Sequence, residues 1–60
     1  MKEPITDREF ESAIESVGYR FLDLGNGFAV QNVRLGGTTR LEAEEMSDAL
    51  FEAWSMVKPE

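Results

Sequence analysis

The 60-residue chain contains no cysteine and no histidine. Without cysteine there is neither a disulfide nor a thiolate metal site. Without histidine the commonest metal ligand and the commonest general base are both missing. Ser12, Ser16, Ser47 and Ser55 therefore have no imidazole to activate them, and Lys2 and Lys58 sit near the chain ends. No apolar run approaches the roughly 20 residues that span a bilayer. The opening "MKEPITDREFESA" lacks the apolar stretch of a signal peptide. These absences predict a cytoplasmic, non-enzymatic protein with no cofactor, no metal and no membrane partner.

Positive charge is also scarce. Twelve acids against six bases give a net charge of −6. The imbalance is uneven: residues 1–18 carry net −3, residues 19–37 net +1, and residues 38–60 net −4. Nucleic acids and anionic membranes reward positive charge, so direct binding to either is disfavoured. A direct nucleic-acid contact through the central segment is the weakest of the readings for that reason.

A chain this short forms one small domain at most, here residues 1–60, and buries only about 60% of the surface its unfolded form exposes. Net stability of about 3–5 kcal/mol is the expectation. Strong local signals or a partner must supply what disulfides and metals do not.

The first local signal is "ITDREF". Thr6 with Glu9 three residues later is a capping box, and Ile5 with Phe10 is a hydrophobic staple. Phe10, Ala13, Ile14 and Val17 then recur on one helical face. Gly18 can take the left-handed conformation that ends a helix. A helix over 7–17 follows.

"YRFLDL" and "FAVQNVRL" are strand-length, aromatic and β-branched. They predict strands at about 19–24 and 28–35, joined through Gly25-Asn26-Gly27. A three-residue loop pairs Leu24 with Phe28 and Leu22 with Val30, which puts these four on one face. A two-residue Asn26-Gly27 loop shifts the register and flips one strand. The three-residue loop gives the cleaner apolar face. Tyr19, Phe21, Ala29, Val33 and Leu35 then fall on the opposite face. A third strand near Val33–Leu35 is not demanded by the sequence.

"GGTT" breaks the chain, and Thr39 with Glu42 makes a second capping-box pattern. Ala43, Met46, Leu50, Ala53, Trp54 and Val57 form a broad apolar stripe. A helix over 40–57 is predicted, stopped by Pro59. The expected fold is α+β: an α-β-β-α domain with an antiparallel hairpin packed against two helices.

Glycine clusters raise the question of phosphate binding. Gly25-Asn26-Gly27 lacks the third glycine of a dinucleotide fingerprint and is followed by strand-like residues. Gly36-Gly37-Thr38 precedes a helix, but no lysine follows and Glu42, Glu44 and Glu45 would repel an anion. Both are read as turns. Glu45, Asp48 and Glu52 have the spacing of a weak oxygen-only cation cluster, but a solvated helix face accounts for them better.

Two acidic rows recur every four residues: Asp7, Glu11 and Glu15, then Glu44, Asp48 and Glu52. Like charges at this spacing destabilise a helix by a few tenths of a kcal/mol per pair. Solubility is the plain explanation, and imitation of a run of phosphates is the sharper one. Phe51 falls outside the apolar stripe, and Trp54 lies at its edge. The candidate partner-binding residues are therefore Phe51, Trp54, Glu44, Asp48, Glu52, Tyr19 and Phe21. Arg20 and Arg34 are free to meet helix acids or an acidic partner. The leading expectation is a small acidic protein-interaction module, a regulator or inhibitor of a larger protein, that also forms a homodimer. The alternative is an acidic nucleic-acid mimic.

Overall fold

The computed structural model describes residues 4–59. Helix α1 spans Asp7–Ser16. Its capping box is formed: Thr6 Oγ1 accepts from the Glu9 N–H at 3.2 Å, and the Glu9 carboxylate accepts from the Thr6 N–H at 3.0 Å. The staple is weak, because Ile5 stays 73% exposed. Gly18, at φ +90°, turns the chain out of the helix. Its N–H donates to the Glu15 carbonyl at 3.1 Å.

Three strands follow, β1 Tyr19–Asp23, β2 Phe28–Asn32 and β3 Thr38–Arg40, in an antiparallel sheet ordered β1-β2-β3. The first hairpin takes neither of the expected registers. Asp23 opposes Phe28, Leu22 opposes Ala29 and Phe21 opposes Val30. The cause is a four-residue loop, Leu24–Gly27. The Asp23 carboxylate accepts from the Gly25 N–H at 2.9 Å, and the Leu24 N–H donates to the Gly27 carbonyl at 2.9 Å. Asp23 thus ends its strand one residue early. Cross-strand partners share a face, so Tyr19, Phe21, Phe28 and Val30 lie together. Phe21 stacks on Phe28 with ring centroids 5.5 Å apart. The expected grouping of Leu22 and Leu24 with Phe28 and Val30 is overturned, as is that of Ala29 with Tyr19 and Phe21.

The second strand ends at Asn32, short of the expected Leu35. Asn32 builds the next turn. Its Oδ1 accepts from the N–H groups of Arg34 and Leu35, both at 3.0 Å, and its carbonyl accepts from the Gly36 N–H at 2.7 Å.

The expected helix over 40–57 is likewise corrected. Thr38–Arg40 pairs with β2, and the Leu41 N–H continues the ladder to the Phe28 carbonyl at 2.8 Å. Thr39 therefore caps no helix. A helix beginning at residue 40 would leave the backbone groups on that side of β2 unpaired, and β-branched threonines suit a strand. Helix α2 begins at Met46 and runs to Val57, with Glu45 as an N-cap that makes no side-chain capping bond.

The order is α-β-β-β-α. Helix α1 packs on β1 and on α2, and α2 reaches β2 and β1. Both helices cover one face of the sheet. Ile14, Leu50, Ala49, Ala53 and Trp54 meet Phe28, Val30 and Leu41 in the core.

Candidate interaction surfaces

Strand alternation sends Arg20, Leu22, Ala29, Gln31, Thr38 and Arg40 to the face that the helices leave open. Two cross-strand rows result, Leu22–Ala29–Arg40 and Arg20–Gln31–Thr38. Ala29 is only 1% exposed although it points outward, because it lies between Leu22 and Arg40. The Arg40 guanidinium bends toward the first hairpin loop, and Nη2 donates to the Asn26 carbonyl at 3.1 Å. Arg40 thereby ties the third strand to the loop between the first two. The Arg20 side chain makes no hydrogen bond or ion pair among the described residues, nor does that of Arg34. The expected pairing of these arginines with helix acids is absent there.

On the opposite side, Phe51 is 63% exposed. It meets Phe10 edge-on, with centroids 6.2 Å apart and planes at 68°, across the seam between α1 and α2. Edge-to-face pairing of this kind contributes beyond area burial. Much of the Phe51 ring nonetheless stays in solvent. Asp7, Glu11 and Glu15 are exposed along α1, and Asp48 lies one turn before Phe51 on α2.

The other expected partner residues have different surroundings. Trp54 is 7% exposed and belongs to the core. Its indole Nε1 has no hydrogen-bond partner among the described residues. Tyr19 and Phe21 are half-buried against that core, and the Tyr19 hydroxyl accepts from Asn32 Nδ2 at 3.3 Å. The acidic row of the second helix is not a row. Glu44 precedes the helix, and the Glu52 carboxylate turns to the backbone, accepting from the Glu42 and Ala43 N–H groups at 3.1 Å each. Glu52 fastens the segment between β3 and α2. Among the described residues, no three carboxylates are grouped to hold a metal ion.

The Gly25–Gly27 segment is the connection of a hairpin. Gly25 adopts φ +84° and Gly27 φ +154°. A side chain at Gly27 would also meet Arg40. Sequence reasoning missed the third strand, the clamp formed by Arg40 and the turn-building role of Asn32. The signal for the turn was present in "NVRLGG": an Asn followed by paired glycines is turn chemistry, hidden by the apolar Val33 and Leu35.

No helix among the described residues is long and apolar enough to cross a membrane. Comparison of the chain with protein-family models, with curated proteins and with solved structures finds no match.

Proposed function

We propose that this chain is a small, acidic, non-enzymatic interaction module of the cytoplasm. It regulates or inhibits a larger protein through the helix surface centred on Phe51. The observation that carries this reading is the exposure of Phe51 beside Phe10 at the seam between the two helices. An exposed aromatic within a polar rim is a common anchor of a protein interface. The exposed acids of α1, Asp7, Glu11 and Glu15, and Asp48 one turn before Phe51 on α2 favour a partner whose rim is basic. The mimic reading rests on the α1 row alone, since the second row is broken.

The test is affinity purification from the native host, identification of the bound protein, and measurement of its affinity for Phe51→Ser. Loss of an interface anchor is expected to weaken binding by about tenfold or more. The circular dichroism spectrum should stay unchanged. Unaltered affinity would remove Phe51 from the interface. Competition by duplex DNA would favour the mimic.

A further inference from the structure

The chain has two asparagines, and their surroundings are opposite. Asn32 is fully engaged. Its Oδ1 accepts from the N–H groups of Arg34 and Leu35, and its Nδ2 donates to the Tyr19 hydroxyl. The N–H that follows it, on Val33, donates to the Gly18 carbonyl at 3.0 Å. Asn26 instead lies exposed in the first hairpin loop. Among the described residues its side-chain amide makes no hydrogen bond, and neither does the N–H of Gly27. Gly27 also has no side chain to shield that nitrogen. The peptide unit joining the two residues has a further contact: its carbonyl oxygen accepts from Arg40 Nη2 at 3.1 Å. Carbonyl and N–H belong to one conjugated unit. A cation held at the oxygen therefore favours loss of the proton at the nitrogen. The resulting anion carries much of its charge on the oxygen, where the guanidinium bond strengthens as charge develops. Asp23, Glu42 and Glu44 line the same hollow, and their carboxylates oppose such an anion. Of these four charged groups, only Arg40 is hydrogen-bonded to the peptide unit itself.

We propose that Asn26-Gly27 is a self-modifying site, at which Arg40 promotes deamidation of Asn26. The Gly27 nitrogen, having lost its proton to water, attacks Cγ of Asn26. A new N–Cγ bond forms and the Cγ–Nδ2 bond breaks. Nδ2 takes up a proton and leaves as ammonia, and the product is a cyclic imide. Water then adds to one of the two imide carbonyls. Addition at the side-chain carbonyl breaks the new N–Cγ bond and leaves an aspartate. Addition at the main-chain carbonyl breaks the original peptide bond and leaves an isoaspartate. Water is the only co-reactant, and nothing is oxidised or reduced. Arg40 is bound to the main-chain carbonyl, so it polarises that carbon toward water and directs the product to isoaspartate. The carboxylate released there stands where the carbonyl stood, beside the same guanidinium. The hairpin loop is then one carbon longer and one charge more negative, and its tie to β3 has become an ion pair.

The purified chain, incubated at physiological temperature and pH, tests this by peptide mass spectrometry with chromatographic separation of the isomers. A mass gain of about 1 Da is expected at Asn26 and none at Asn32. The folded chain should convert at least as fast as the same chain in urea, and a larger share of its product should be isoaspartate. Arg40→Gln should slow conversion in the folded chain about threefold or more, as expected for loss of a charge-assisted hydrogen bond at an exposed site. In urea the same substitution should leave the rate unchanged. Circular dichroism checks that Arg40→Gln is folded; if it is not, the isomer ratio of the unaltered chain, folded against urea, decides. Slower conversion of Asn26 in the folded chain than in urea, equal folded rates with and without Arg40, or the same isomer ratio in both states would overturn the proposal.

Discussion

The Arg40 guanidinium fills the space that a side chain would need at Gly27: a Cβ there would lie 2.9 Å from Nη2. Gly27 also sits at φ +154°, which side-chain-bearing residues rarely adopt. Gly27→Val is therefore expected to destabilise the fold by about 1–3 kcal/mol, read as a lower midpoint in urea. An unchanged midpoint would mean that both the backbone and Arg40 adjust freely.

Glu52 and Glu44 should part company on neutralisation. Glu52→Ala removes the acceptor for two backbone N–H groups and is expected to cost about 1 kcal/mol, the partial exposure of the site limiting the loss. Glu44→Gln should leave stability within about 0.5 kcal/mol, as surface changes usually do. Equal melting temperatures for the two variants would contradict the fastening role of Glu52.

The Thr6 cap is the third test. Thr6→Ala breaks the capping box and should cost about 1 kcal/mol. In a domain of this size that corresponds to a drop in Tm of about 4–8 °C. Calorimetry of the two proteins under matched conditions measures it.

Trp54 separates volume from hydrogen bonding. Its buried Nε1 has no partner among the described residues, so Trp54→Phe gives up no bond seen there and relieves an unsatisfied donor. Its cost should be well below that of Trp54→Ala, about 3–5 kcal/mol. The alanine variant would then be largely unfolded at room temperature, visible as loss of the near-ultraviolet and far-ultraviolet dichroism. Similar stability of both variants would place Trp54 outside the core.

What was legible in the sequence follows the range of each interaction. The α1 boundaries were readable because Thr6, Glu9 and Gly18 act within one helical turn. The existence of the first hairpin was readable from Gly25-Asn26-Gly27, but its register was not. Asp23 captures the Gly25 N–H through its side chain, a choice that loop length alone does not reveal. β3 was hidden because its pairing with β2 outweighs a local capping pattern at Thr39 and Glu42. At the candidate surface, Phe51 was identifiable from helical phase. Trp54 was readable as the edge of the apolar stripe, and it is buried because the core wraps wider around α2 than an ideal stripe. Glu52 looked like part of a charge row because its partners lie in a segment expected to be helical.

The pairing of Phe10 with Phe51 has a kinetic consequence. Each strand pairs with its neighbour in sequence, so the sheet assembles by closing short loops, which is entropically cheap and fast. The helix pair closes a far longer loop, joining residues near opposite ends of the chain. Its formation is expected late, after the hairpins have brought the ends close. Truncating Phe10 to alanine should then accelerate unfolding while leaving the refolding rate nearly unchanged. Stopped-flow chevrons would record this as a displaced unfolding arm.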